Sequence, residues 1–215
     1  MSTSSSGTEP MGAAGERLVV VATGNVGKLT EIRSAMPFVG WRFVAASELG
    51  PWDPPEESGQ TFAENALIKA RYAAETFGHA ALADDSGLEV DAIDGEPGVY
   101  SSRYAGPCAT DDENNRRLLL AMKDVPEAER TARFHCYVAF VAEDGVEVLA
   151  DGACEGAIGF EPRGTGGFGY DPLFWPVATP GRTMAELDLA EKNAISHRGA
   201  ALRALATALG PPIGN

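Results

Sequence analysis

A chain of 215 residues, with 44% hydrophobic and 22% charged side chains, holds apolar material for one globular domain at roughly 150 residues per domain. Its formal charge of -14 repels nucleic acid, which excludes a polynucleotide substrate, and it obliges any triphosphate ligand to be met by local cations and a metal. No apolar run approaches the ~20 residues of a bilayer span, and Cys108, Cys136 and Cys154 are too few and scattered for a disulfide framework or a CxxC zinc site.

Residues 1–16 are rich in Ser, Gly, Thr and Ala without periodicity and read as a flexible tail. They lack the basic and apolar regions of a signal peptide, so the expected location is the cytoplasm. The cysteines read as small buried or half-buried apolar residues. From Arg17 the text changes. The run Leu18-Val19-Val20-Val21-Ala22 predicts a buried strand, and a helix follows over 27–35, stopping before Pro37. Residues 41–45 read as a second strand, and the proline-rich stretch 50–59 as a loop. Thr61 with Glu64 spells a capping box, opening a helix that Gly78 closes.

Ala80 to Ala83 predicts a short strand that delivers Asp84, Asp85, Ser86 and Gly87 into a turn. A polar loop spans 91–106, and Thr110 with Glu113 opens a second capped helix towards Met122. Residues 132–142 and 146–150 read as two strands about the turn Glu143-Asp144-Gly145. A glycine-rich segment covers 164–169, Thr183 with Glu186 opens a short helix, and a last helix spans 196–209. Early alternation of strands and helices, with an antiparallel pair in the middle, predicts an α/β or α+β fold on a mixed sheet.

Several segments carry chemistry. In Thr23-Gly24-Asn25-Val26-Gly27-Lys28, glycines admit a phosphate to the backbone, a helix N-terminus offers free N–H groups and Lys28 adds charge. A Walker A loop is excluded twice over, by Ala22 in place of Gly and Leu29 in place of Ser or Thr. The plain alternative is an ordinary strand-to-helix turn. Gly164, Gly166 and Gly169 spell GxGxxG, but Pro172 disfavours the helix that a dinucleotide site needs, so the segment reads as a loop.

Asp84 and Asp85 end an apolar run, while Glu56 and Glu57 sit in a loop, and hard carboxylate oxygens suit Mg²⁺. Adjacent strand residues point to opposite faces, so the two aspartates cannot serve as equal ligands unless the chain bends. Asp85-Ser86-Gly87 also spells an aspartic-peptidase triplet, but only once, and that reading leaves the cations idle. Asn65 and Lys69, four apart, share a helix face. Phe168-Gly169-Tyr170-Asp171 offers a flat ring beside glycine for stacking a base, with Phe174 and Trp175 expected in the core. Lys192, His197 and Arg198, the last two after a capping Ser196, can donate hydrogen bonds to a base carbonyl.

Taken in order, these pieces resemble the inosine triphosphate pyrophosphatase family, also called Ham1 or RdgB-like. The carrying text is ATGNVGK at 22–28, ESGQTFAENALIKA at 57–70, LADDSGLEVDAIDGEPGVYSSRYAG at 82–106, GTGGFGYDPLF at 164–174 and EKNAISHRG at 191–199. The resemblance implies an elongated mixed sheet flanked by helices, two lobes with a cleft between them, and one catalytic domain over 17–215. It implies a Mg²⁺-dependent hydrolase, commonly a homodimer, that converts ITP, dITP or XTP to the monophosphate and pyrophosphate. By the same resemblance Thr23 to Lys28 hold the triphosphate and Lys69 meets the phosphates. Asp85 is general base and metal ligand, with Glu56 helping to hold Mg²⁺ and Glu57 beside it offering the same chemistry. Ser86 touches the nucleotide, Phe168, Gly169, Tyr170 and Asp171 wall the base and ribose, and Lys192, His197 and Arg198 recognise the base. Two other readings stay open: a pyrophosphatase for pyrimidine or modified nucleotides, and a nucleotide sensor without turnover.

Overall fold

The computed structural model describes residues 16–35 and 40–210. The tail expected at 1–16 therefore lies, up to residue 15, outside the described residues, as does Pro37. The chain runs β1 (Arg17–Val21), α1 (Val26–Ala35), β2 (Trp41–Ala45), α2 (Ala46–Leu49), α3 (Phe62–Phe77), β3 (Ala80–Val90), α4 (Asp111–Ala121), β4 (Thr131–Val141), β5 (Glu147–Ile158), β6 (Phe174–Pro176), α5 (Leu189–Ile195) and α6 (His197–Leu209). Both expected capping boxes form: Thr61 opens α3 and Thr110 opens α4, each with its Glu three residues on. Gly78 ends α3 in the left-handed conformation.

The strands join in one mixed sheet, ordered β2-β1-β3-β4-β5-β6. β1 lies parallel to β2 and β3, and the strands from β3 to β6 alternate antiparallel. Three hydrophobic clusters flank it. Val19, Val21, Leu82, Val138 and Phe140 pack on one face against Ile32 of α1 and Leu202 and Leu205 of α6. Val20, Ala81, Ala83 and Ala139 pack on the other against Ala66, Ala70 and Ala73 of α3. The third gathers at the far end of β3, β4 and β5, where Leu88, Val90, Phe134 and Ile158 meet Leu118 and Met122. Positions 84–87 of β3 lie between the first two clusters and the third.

Six expectations need correction. β3 is not a short strand ending before Asp84: it runs on to Val90, because partners on other elements neutralise both aspartates and let the ladder with β4 continue. β5 reaches Ile158 rather than stopping at 150, its exposed face carrying Asp151 and Glu155, which masked the strand pattern. The stretch 91–106 holds two 3₁₀ turns, Asp91–Ile93 and Gly98–Arg103. Cys108 is exposed, whereas Cys136 and Cys154 are buried. The box at Thr183 opens only a 3₁₀ turn, Met184–Glu186, and Trp175 is half-buried while Phe174 is fully buried.

Candidate active site

Strand alternation distributes the two aspartates. Ala80 and Leu82 face α6, Ala81 and Ala83 face α3, so Asp84 points to the α6 side and Asp85 to the α3 side. Asp84 Oδ2 accepts from Arg198 Nε at 3.0 Å and Nη2 at 2.9 Å, and Lys28 Nζ lies 3.2 Å away. Burial opposes its ionisation, but Lys28, Arg198 and Lys69 hold the carboxyl far below the usual carboxylate range. Its Oδ1 is buried and has no partner.

Asp85 takes Lys69 Nζ on Oδ1 at 2.9 Å and Asn65 Nδ2 on Oδ2 at 3.2 Å. Here burial outweighs Lys69 and Lys28, and the pKa stands above the ordinary aspartate value. The same Lys69 Nζ donates to Glu57 Oε1 at 2.7 Å, and Arg103 Nη1 lies 3.5 Å from Glu57 Oε2. One ammonium nitrogen thus has two carboxylates within 3 Å. Glu57 is half-buried against the cavity, while Glu56 is exposed and outside its lining.

The turn before α1 is tied by its own side chains. Asn25 N–H donates to Thr23 Oγ1 at 3.1 Å, and Asn25 Oδ1 accepts from Lys28 N–H at 3.0 Å, capping the helix. Thr23, Gly24, Asn25 and Lys28 line the cavity, of about 300 Å³; Val26 is 75% exposed and lies outside it. Gly27 stands behind the lining, where an added Cβ would come within 2.6 Å of the Phe168 ring. The phosphate-type turn and the aromatic segment therefore touch across the cleft mouth.

At the other end, Phe168, Gly169, Tyr170 and Asp171 all line the cavity. Their backbone is held from several sides. Gly169 N–H donates to Asp111 Oδ2 at 2.6 Å, Asn115 Nδ2 donates to Gly169 O at 2.9 Å, and the Tyr170 hydroxyl donates to Ser101 O at 2.9 Å. Phe168 N–H donates to Asp171 Oδ2, which also accepts from Lys192 Nζ at 2.5 Å. Lys192 continues to Glu31 at 2.7 Å, and Glu31 pairs with Arg198. A buried file of alternating charge results: Lys28, Asp84, Arg198, Glu31, Lys192, Asp171. Lys192 lies beneath the Phe168 ring, 4.6 Å from its centre, and outside the lining.

Arg198 and His197 do line the cavity, with Ser86, whose hydroxyl accepts from Arg198 Nη2 at 2.9 Å. His197 is buried, stacked on Phe134 at 4.8 Å between centres, and its Nδ1 has no partner. Burial first, then Arg198 and Lys192, push its pKa well below the ordinary histidine value, so the ring is neutral. Glu31, Asn65 and the α4 residues Asp111, Asn114 and Asn115 were not singled out as site residues in the sequence. Only Asn65 had a signal, its shared face with Lys69.

Lys28, Lys69 and Arg198, the carboxylates they pair with and the Phe168 ring, all hung on a mixed sheet, define an α/β protein with a charged cleft beside an aromatic ring. The chain belongs to the Ham1 family, whose sequence profile matches residues 19–208. It is 52% identical over 193 residues to the dITP/XTP pyrophosphatase of Escherichia coli strain K12, an alignment covering 89% of this chain and 97% of that protein. The corresponding enzyme of Shigella flexneri is equally similar. Among solved structures, a HAM1 protein from Coxiella burnetii superposes with a TM-score of 0.80 at 46% identity, covering 90% of this chain and 98% of its own. A nucleoside-triphosphatase, or dITP/XTP pyrophosphatase, from Mycobacterium abscessus gives 0.70 at 41% identity, covering 87% and 98%.

Proposed function

We propose that this protein is a Mg²⁺-dependent pyrophosphohydrolase that converts ITP, dITP and XTP to the monophosphate and pyrophosphate, clearing non-canonical purines from the nucleotide pool. The observation that carries this is Lys69 shared by Asp85 and Glu57 beside the Lys28 turn, in a chain half identical to relatives named dITP/XTP pyrophosphatases. The cleft joins a cationic rim to an aromatic wall, as a triphosphate and a base require. Residues 17–215 act as one catalytic unit in the cytoplasm, and as the homodimer that the family resemblance implies.

The donor set fits a hard divalent cation. Asp85 and Glu57 already hold one positive charge between them, and Mg²⁺ takes one or two carboxylates with phosphate and water oxygens. Asp85 and Glu57, rather than the exposed Glu56, would hold the ion, which would neutralise the phosphates and favour ionisation of water. Lys28 Nζ and the N–H groups of this turn that Thr23 and Asn25 leave uncapped bind the β- and γ-phosphates. Asp85 accepts the proton of the water that attacks the α-phosphorus. The bond from that phosphorus to the bridging oxygen breaks, and pyrophosphate leaves. Lys69, released from its carboxylates, offsets charge on the phosphates.

Phe168 stacks on the base, and Lys192 and Arg198 beneath it fix the ring. A 6-oxo group accepts hydrogen bonds where the 6-amino group of adenine donates. Facing donors from His197 and backbone N–H, with Arg198 holding the site through Asp84 and Ser86, adenine leaves them unpaired, a mismatch able to discriminate by ~10⁴-fold. Incubation with ITP and Mg²⁺ yields IMP and pyrophosphate, with ATP turned over far more slowly. Release of IDP and orthophosphate, or preference for UTP, would overturn the proposal.

A further inference from the structure

Asn65 is fully buried on α3, one turn before Lys69. Its Nδ2 donates to Asp85 Oδ2 at 3.2 Å, and its Oδ1 accepts from Gly59 N–H at 2.8 Å. Lys69 makes the same pair of connections, to Asp85 Oδ1 and to Glu57 in the same loop. Two parallel bridges therefore run from loop to strand across one helix face, and each rests on a different oxygen of Asp85.

The orientation of the Asn65 amide is dictated. Gly59 N–H can only donate, so Oδ1 must face it and the NH₂ group must face the carboxylate. The loop is pressed close at this point: a Cβ on Gly59 would stand 2.6 Å from Asn65 Oδ1 and 2.7 Å from Glu64 Cβ.

We propose that Asn65 is a positioning residue for Asp85 and for the loop that carries Glu57, the bridge that stays when a triphosphate draws Lys69 away. This rests on the reading of Asp85 as general base. Lys69 is a mobile charge, and phosphate oxygens compete for it with Asp85 and Glu57. Asn65 has no charge to be drawn off. Its bonds keep the Asp85 carboxylate aimed and the loop seated after the first bridge opens.

Asn65→Leu keeps the size and removes both bonds. Its kcat for ITP falls by ~10² with KM within about threefold, as expected when a reacting group is misplaced and the triphosphate turn is untouched. In an Asp85→Asn background the same substitution lowers the residual rate by less than about tenfold, because only the Glu57 loop remains to be positioned. A KM increase at constant kcat, or an equal kcat loss in both backgrounds, overturns the proposal.

Amide exchange followed by NMR gives a readout free of turnover. In the native protein without nucleotide, Gly59 N–H exchanges at least ~10-fold more slowly than the exposed amides beside it, and Asn65→Leu removes that protection. A fast-exchanging Gly59 amide in the native protein overturns the bridge even if no variant folds. A protected Gly59 in a protein inert towards ITP sinks the proposed function and leaves the bridge standing.

Discussion

At Asp85, burial and Lys69 pull the carboxyl in opposite directions; burial prevails, and its pKa stands above the ordinary aspartate value. Its neighbour Asp84 sits deeper, yet Lys28 and Arg198 overcome burial and keep it ionised. The two therefore differ: Asp84 anchors cations, and Asp85 is left to the role of base in the proposed mechanism. Asp85→Asn retains shape and loses basicity, so single-turnover hydrolysis of ITP falls by ~10³-fold while calorimetry still shows binding of a non-hydrolysable ITP analogue. Retained turnover would dismiss Asp85 as the base. The split between the aspartates was legible from strand alternation, and the pairing of Asn65 with Lys69 from helical spacing. Glu31 was not, because a glutamate three residues past Lys28 looks like any solvated helix position until α6 and α5 close over it. Nor could sequence order show that Arg198 commits donors to Asp84, Glu31 and Ser86.

Among the elements, α6 is seated closely on β5. A Cβ on Gly152 of β5 would lie 2.4 Å from Ala201 N and 2.5 Å from His197 O, backbone atoms that cannot rotate aside. Gly152→Ala must therefore lift the start of α6, where His197 and Arg198 stand. Overpacking of this kind costs about 2 kcal/mol, a fall of roughly 6 °C in Tm for a domain this size. Calorimetry checks the stability and KM for ITP checks the site; an unchanged KM would show that α6 does not set the cleft. Capped helices were the most legible elements, since Thr61, Thr110 and their glutamates act within one turn. Strand ends were the least. Charges at 84 and 85 look like a strand terminus, and it is Lys28 from α1, Lys69 from α3 and Arg198 from α6 that make them tolerable inside the sheet. The short helices α2 and α5 carried too few residues to show a period.

Over the whole molecule, the file from Lys28 to Asp171 is electrically balanced, so the formal charge of -14 belongs to the rest of the chain. Acid tests the buried part. The folded state keeps His197 neutral, whereas the unfolded chain takes up that proton near pH 6.5. The folded pKa is the lower one, so stability is full above about pH 6.5 and is lost as pH falls, with a slope of up to ~1.4 kcal/mol per pH unit. Urea unfolding between pH 7.5 and 5.5 should show that slope, and His197→Asn should flatten it; equal slopes would place the lost stability elsewhere. The cysteines turn the same architecture into a built-in clock. Thiolates are the reactive form. Burial pushes the Cys154 thiol up to about 11 and that of Cys136 higher still, while Cys108 stands in solvent. A thiol reagent therefore labels Cys108 at once. Cys136, 4.0 Å from Asp84 at the cleft floor, answers only when that floor opens, and Cys154 only when the far cluster does. The delay between the last two labels measures whether the two ends of the sheet come apart together.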